Sequence, residues 1–375
     1  MLPTHQPEST AVLYIAFELS AAEWLVTLSA APGGPRQRRR LRPGDTAALA
    51  RLVSAAKVRF GLAATAPVRS CYEAGRDGFW PHRWLTRLGV TNLVVDSSSI
   101  EVSRRARRAK TDRLDGEKLL RLLQRHWGGE PGVWQVVRVP TPEAEDARHA
   151  SRGLTTLQAE RTRQRNRLRA LLTLHGIRDV RIDAQFPMRL RQLRDWAGVA
   201  LPPGVVARAL TTYRVLQAIE VEVAAARRHE RQQVHGPAAT SCAARLVRLC
   251  GVAARSATVL ADELFGRGLR TRREVGALSG LVSAPYRSGT IQRDQGLVRS
   301  GLPAVRRIAI EVAWAWLRYQ PTSALSQWYQ RRFGRGGAAA RRIGIVALAR
   351  RVIIALWRYA DQGLLPAGAL VKAAA

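Results

Sequence analysis

Cysteine is scarce in this chain. Its 375 residues include three, Cys71, Cys242 and Cys250, and no two form a Cys-x-x-Cys pair or a ligand cluster. That excludes a disulfide scaffold and a zinc ribbon. Each thiol is expected as a small buried apolar group in a reducing compartment. Lysine is nearly as rare, limited to Lys57, Lys110, Lys118 and Lys372. Acids are few as well, 28 against 61 lysines plus arginines, for a formal net charge of +33. Arginine in place of lysine, beside abundant alanine, reflects a GC-rich genome, but such bias does not produce an excess of cations over anions. That excess favours a polyanionic partner, with salt-dependent binding to phosphate backbones. Long apolar runs are lacking too. Ala11 to Ala30 is interrupted by Glu18 and Glu23, and Ile343 to Trp357 by Arg350 and Arg351. Met1 to Thr10 lacks the basic start of a secretory signal. The expectation is a cytoplasmic protein without a membrane segment. No internal repeat is visible.

What is present is enough apolar residue, 46%, to build the two or three domains that this length suggests. Residues 11–17 and 24–30 read as strands with a turn at Ser20-Ala21-Ala22, ended by Pro32-Gly33-Gly34-Pro35. A basic run follows, Arg36 to Arg42. Asp45 opens a helix with Leu49, Leu52 and Val53 on its apolar side. A strand over 67–72, a helix over 79–88, a short strand at Leu93-Val94-Val95 and a helix from Asp112 to Gln124 complete an α/β domain over 1–128. Residues 129–240 read as a Gly- and Pro-rich linker followed by a helical spacer. Two long helices there return on each other as a hairpin or coiled coil, divided near Gly176 and Pro202-Pro203-Gly204. Residues 241–375 read as a mostly α domain. Leu246–Cys250, a turn at Gly251 and Ala257–Phe265 resemble a helix-hairpin-helix. Helices follow over 305–319 and 338–359, with Trp314, Trp316 and Trp357 expected in the core.

Four acids stand out in this basic setting. Glu18 and Glu73 each close a strand-like run, Tyr14–Glu18 and Val68–Glu73. Asp112 and Asp115 are three apart at the head of a helical pattern, which puts them on one helix face about 5–6 Å apart at Cβ. Phosphate chemistry with two metal ions needs several converging carboxylates, which repel one another until a cation is bound. Taken singly, Asp112 after Thr111 reads more readily as an acid at an ordinary helix N-cap, and Asp115 as an acid of the first turn; their joint context favours the site. Basic runs supply a binding surface. Arg104, Arg105, Arg107, Arg108 and Lys110 lie just before the acidic pair, placed to clamp a strand beside the metals. Arg161, Arg163, Arg165, Arg167 and Arg169 are placed to follow a nucleic-acid backbone, or to be a solvated helix face. Arginine also stacks on unpaired bases.

The segments Tyr72-Glu73-Ala74-Gly75 and Arg108-Ala109-Lys110-Thr111-Asp112-Arg113-Leu114-Asp115 resemble the acidic motifs of the DEDD transposases of bacterial insertion sequences, the insertion-sequence-110 family. Arg167-Leu168-Arg169-Ala170-Leu171-Leu172-Thr173-Leu174-His175-Gly176 is similar to that family's spacer. Gly280-Leu281-Val282-Ser283-Ala284-Pro285-Tyr286-Arg287-Ser288-Gly289 is similar to its serine motif. The resemblance spans nearly the whole chain. It implies a RuvC-like domain of RNase H topology at the N-terminus, a coiled-coil spacer and a helical C-terminal transposase domain. It further implies two Mg²⁺ ions held by Glu18, Glu73, Asp112 and Asp115, Ser288 as nucleophile, donor and target DNA as substrates, a structured bridge RNA as guide, and a homo-oligomer as the working form. No histidine is near Ser288 in sequence, so the resemblance leaves activation of its hydroxyl to the metal site, within one chain or between protomers.

Two positions depart from the family pattern. Glu18 stands where the family commonly has Asp, and its extra methylene shifts the carboxylate. Gly251-Val252-Ala253-Ala254 stands where the family has Gly-Ile-Gly-Pro, which removes a glycine suited to close approach of backbone to phosphate. The residues alone leave open a RuvC-like junction nuclease that uses water, and an inactive nucleic-acid-binding relic.

Overall fold

Alternating apolar residues at 13, 15 and 17, and at 24, 26 and 28, begin a five-stranded sheet of order β3-β2-β1-β4-β5. The protein is described here by a computed structural model covering residues 11–100, 112–236, 241–288, 291–298 and 300–372. β1 (Leu13–Leu19), β2 (Trp24–Ser29) and β3 (Gln37–Leu41) form an antiparallel meander. After α1 (Thr46–Arg59), β4 (Val68–Glu73) pairs parallel to β1. After α2 (Trp80–Arg87), β5 (Thr91–Val95) pairs parallel to β4. α3 (Asp112–Trp127) follows. Asp45 caps α1, its Oδ1 accepting from the Ala48 amide at 2.8 Å. The basic run after Pro35, which carries no apolar alternation, is β3. An arginine-rich edge strand resists pairing with a second sheet.

The sheet is covered on both faces. Leu13, Ile15, Phe17, Trp24, Val26, Leu28, Tyr72 and Val94 pack with Leu49, Leu52 and Ala56 of α1 and Leu85 of α2. On the other face Ala16, Cys71 and Val95 pack with Leu119, Leu120, Leu122 and Leu123 of α3. Val133 and Trp134 join that second cluster, and Val137 and Val139 pack against the first. The loop after α3, expected as linker, thus belongs by its contacts to this unit, Met1–Val139.

The second unit, Pro140–Ala375, opens with α4 (Pro142–Thr173), α5 (Phe186–Gln192) and α6 (Pro203–His235). α4 and α6 run antiparallel along a seam, with α6 burying Ala209, Leu216, Val223 and Glu230 at seven-residue intervals. The chain continues through α7 (Cys242–Val247), α8 (Ala254–Val259), a π-helical turn Leu260–Leu264 and α9 (Arg272–Leu278). A two-stranded ribbon comes next, β6 (Ser283–Ser288) and β7 (Ile291–Leu297), followed by α10 (Pro303–Tyr319), α11 (Ala324–Tyr329) and α12 (Ala338–Gln362). Gly251, between α7 and α8, has φ +83°, and a Cβ there would stand 3.1 Å from the Ala315 carbonyl oxygen. The turn is therefore held to glycine by handedness and by space.

Trp316 and Trp357 are buried at 0% and 7% exposure, but Trp314 is 51% exposed, which corrects its expected place in the core. Residues two apart on a helix point to nearly opposite sides. The stripe Val305, Ile308, Ala309, Val312, Ala313 and Trp316 takes the inner face, and Trp314 falls outside it. Cys71 is buried as expected, whereas Cys242 and Cys250 are half-buried.

Charged residues join the foot of the α4–α6 hairpin to the rest of this unit. Arg152 of α4 donates to both carboxylate oxygens of Glu263, at 2.6 and 2.8 Å. Arg148 donates Nε to the Asp262 carbonyl at 2.8 Å. Arg255 donates to Glu230 of α6 at 2.9 Å, and to the Ser151 hydroxyl and carbonyl at 3.1 and 2.9 Å. Burial alone would raise the carboxyl of Glu263, but the Arg152 hydrogen bonds and nearby arginines hold it below its ordinary value. Replacing Arg152 by alanine leaves that buried carboxylate without its bidentate partner. The expected cost is about 1–3 kcal/mol of unfolding free energy, measured by urea denaturation. An unchanged midpoint would show that the pair is stability-neutral.

Candidate active site and nucleic-acid interface

The parallel register of β1 and β4 runs Leu13↔Val68 to Phe17↔Tyr72. Its next step sets Glu18 beside Glu73, on strands about 4.8 Å apart. Side chains alternate faces along a strand, so Glu18 shares a face with Ala16, and Glu73 with Cys71. That is the face covered by α3. Glu18 is half-buried and Glu73 exposed.

α3 lies close to the sheet because of Gly116. A Cβ there would stand 2.9 Å from the Thr27 Oγ1 of β2, and Thr27 is itself the register partner of Ala16. The Cys71 thiol lies 3.9 Å from the Leu119 carbonyl, one turn further along α3. Asp115, half-buried, immediately precedes Gly116. Glu117, two residues on, is committed elsewhere, paired with Arg36 at 3.2 Å and Arg38 at 3.0 Å. The acid-free basic run after Pro35 thus serves to tie α3 across the sheet edge. Neither Gly116 nor Glu117 was picked out from sequence. A glycine inside an apolar helical stripe was the available signal for the first.

Glu18 and Glu73 thus share one face of the sheet, and Asp115 lies in the first turn of the helix packed on that face. The side chain of Asp112 lies outside the described residues, although its backbone begins α3. Arg104, Arg105, Arg107, Arg108 and Lys110 also lie outside them. Among the described residues no group of three or more His, Cys, Asp and Glu could by itself hold a metal ion. The Oγ1 of Thr27, beneath Gly116, is buried with no hydrogen-bond partner among the described residues. Carboxylate oxygens are the donor type that hard divalent cations take, and Glu18, Glu73 and Asp115 do not by themselves complete such a site.

Ser288 lies in the second unit, as the last residue of β6 and the register partner of Ile291. Its side chain is outside the described residues. The base of this ribbon is rigidly built. Val298 donates its amide to the Val282 carbonyl at 3.0 Å, and Leu302 to the Leu278 carbonyl at 2.8 Å. Gly280 and Gly301, both at positive φ, meet back to back, so that a Cβ on Gly301 would stand 2.7 Å from the Gly280 Cα. Arg306 donates to the Val298 and Ser300 carbonyls at 2.8 and 2.7 Å. Gly301 is therefore needed for close approach to the Gly280 backbone, and Gly280, which opens the serine segment, for its positive φ and for the Arg306 guanidinium that lies against it.

The arginines of α4 divide into two groups. Their two-residue spacing places 161, 165 and 169 on one flank and 163 and 167 on another. Arg165 pairs with Glu220 of α6 at 2.6 Å, and Arg163 with Glu160. Arg167 and Arg169 are exposed. Asp96 caps a short turn by accepting from the Ser98 amide and hydroxyl at 2.9 and 2.8 Å. Asp77 pairs with Arg76 at 3.3 Å. Asp262 is pushed up to about 6, first by burial and then by Glu263, against the pull of Arg148. Among the described residues no helix is long and apolar enough to cross a membrane.

A nucleic-acid-directed protein with a mixed α/β domain, paired acids and a helical second unit is the class these features define. A family model described as "Transposase IS116/IS110/IS902 family" matches residues 243–330. The chain is 37% identical to "Putative transposase y4rJ" of Sinorhizobium fredii, over 96% of this chain and 94% of that protein. It is 28% identical to "Putative transposase y4qE" of the same organism, over 67% of this chain and 59% of that protein. The chain belongs to the IS110 family of transposases. Transposases cut and rejoin DNA, so DNA is its substrate.

Two outcomes follow from this geometry. Gly116→Ala is expected to cost about 1–3 kcal/mol through overpacking, and Thr27→Ala in the same chain should recover much of that loss in a denaturation double-mutant cycle. Equal costs with and without the threonine would dismiss the contact. The Asp262 carboxyl is raised in the folded state, so its protonated form adds stability below the ordinary value of 3.8, and that stability is lost as pH rises through about 6. Asp262→Asn should therefore flatten the fall in melting temperature across that window and melt higher than the parent above it.

Proposed function

We propose that this transposase is a metal-dependent DNA recombinase of the DEDD type, with a serine nucleophile and an RNA guide. The observation that carries the reading is the pairing of Glu18 and Glu73 in register under α3, whose first turn bears Asp115. The sheet order β3-β2-β1-β4-β5, antiparallel for its first three members and parallel thereafter, supports an RNase H-type, RuvC-like domain. The proposed organisation is a catalytic domain over 1–128, a linker and coiled-coil spacer over 129–240, the first linker residues to Val139 packing on the catalytic domain, and a transposase domain over 241–375.

Glu18, Glu73, Asp112 and Asp115 would hold two Mg²⁺ ions. Bound there, the ions would supply Lewis-acid stabilisation of charge on a phosphodiester. The protein's own work begins at Ser288. Its Oγ loses a proton and forms an ester bond to a DNA phosphorus, while the bond from that phosphorus to a sugar oxygen breaks and the sugar oxygen takes up a proton. An incoming sugar hydroxyl reverses these events on a new strand, so the phosphodiester is conserved and no external energy source is needed. Arg104, Arg105, Arg107, Arg108 and Lys110 would contact the strand beside the acids. Arg161, Arg163, Arg165, Arg167 and Arg169 would face nucleic acid along the spacer, although Arg165 also serves the hairpin through Glu220. Two DNAs must be handled together, so the working form is a homo-oligomer. Its place of action is the cytoplasm, on chromosomal DNA.

Trapping with a nicked suicide substrate tests the reading. Wild-type protein with RNA and Mg²⁺ should give a covalent protein–DNA adduct. Ser288→Ala should give none, and Asp115→Asn should lower its yield by at least 10²-fold, roughly the size of one lost electrostatic contribution. An adduct that survives Ser288→Ala removes the serine from its role. Free nicked DNA without any adduct points to water as nucleophile.

A further inference from the structure

The chain between α4 and α6 is a small folded knob. Leu168, Leu172, Phe186, Leu190, Leu201, Tyr213 and Leu216 give it a core of its own. Tyr213 anchors it by donating to the Asp183 carbonyl at 2.9 Å. On this ordered support Trp196 is 84% exposed, and Leu174 is 80% exposed. Trp196 is held in place by its backbone. Its amide donates to the His175 carbonyl at 3.1 Å. Its Cβ lies against Gly176, which has φ +80° and has no room for a side chain, since an added Cβ would stand 2.9 Å from that of Trp196. The loop behind it is closed by Asp195, whose carboxylate accepts from the Ala197 and Val199 amides, both at 2.9 Å. An indole fixed by its backbone and exposed at its ring offers a partner a flat apolar face at little further ordering cost.

The charge around it narrows the choice of partner. Of the knob's three aspartates, Asp195 closes the loop and Asp183 pairs with Arg189, while Asp179 is exposed and is outnumbered by the arginines around it. Arg178, Arg181, Arg191 and Arg194 are exposed on the same knob. A basic rim would repel a second copy of the same rim, whereas it complements phosphate. Bases in duplex DNA are already stacked on one another. An aromatic platform needs an unpaired base, which the loops of a structured RNA supply.

We propose that this knob is a docking site for a looped RNA, with Trp196 stacking on an unpaired base and the exposed arginines meeting the flanking phosphates. The inference rests on the RNA-guided reading above and assigns it a contact point. Binding is measured by fluorescence anisotropy on the full-length protein with four labelled probes: an RNA hairpin with an unpaired loop, the fully paired RNA, single-stranded DNA of the loop sequence, and duplex DNA. Trp196→Ala should weaken binding of the looped RNA by about 5- to 150-fold, the range for loss of one stacked base. Trp196→Phe should restore most of it, and paired RNA and duplex DNA should bind all variants alike. Unchanged melting temperatures would show that the fold is intact, as expected for an exposed ring. Equal affinity of Trp196→Ala and wild type for the looped RNA overturns the platform. So does a loss confined to single-stranded DNA, or a loss of self-association in sedimentation with RNA affinity unchanged. Wild-type protein that does not prefer the looped RNA to paired RNA overturns the RNA-guided reading itself, and this site with it.

Discussion

The parallel pairing of β1 with β4 is the constraint on which the first unit depends. It joins a strand of the antiparallel meander to one reached by a crossover through α1, so it makes one sheet out of two kinds of connection. The same ladder fixes which residues share a face. Because side chains alternate with a period of two, a slip of one residue would send Glu18 to the face of α1 and α2, among Leu13, Ile15 and Phe17. Burial of those three, with Trp24 and Tyr72, enforces the register. The apolar core thereby sets the position of the acids at its rim.

α3 completes that arrangement by contact rather than by charge. Gly116 and Thr27 allow the helix to approach, Leu119 to Leu123 bury it, and the Glu117 pairs with Arg36 and Arg38 orient it. In a chain so short of acids, the uses of the carboxylates are informative. Glu117, Glu230 and Glu263 are spent on arginine pairs that join elements. Glu18 and Glu73 come to one sheet face through strand register, and Asp115 lies in the first turn of the helix packed on that face. In the second unit, arginine does the joining. Its planar fork holds Glu263 bidentately and bridges α6, α4 and α8 through Arg255, which a point-charged lysine would do less well.

Much of the fold was legible because it rests on local signals. The alternation in β1 and β2, the Asp45 cap, the strand at Leu93–Val95 and the paired long helices all appear where their patterns place them. The misreadings have physical causes. β3 has arginines at most positions and owes its extended form to pairing with β2, not to its own pattern. Trp314 was assigned to the core on residue type, and helix phase put it outside. The ribbon in which Ser288 lies has at its base Gly301 packed on the Gly280 backbone and Arg306 packed on Gly280, contacts no local pattern announces.

By itself the sequence determined the basic balance, the order of elements, the acidic and serine segments, and through them the family to which the chain belongs. These are matters of composition and short-range period, which need no knowledge of what lies across the core. Tertiary structure alone decided which acids share a face, which are consumed by arginine, and that an indole would be held outward on a small folded knob. Each of those outcomes depends on contacts between residues far apart in the chain, and burial and space at those contacts are properties of the packed molecule.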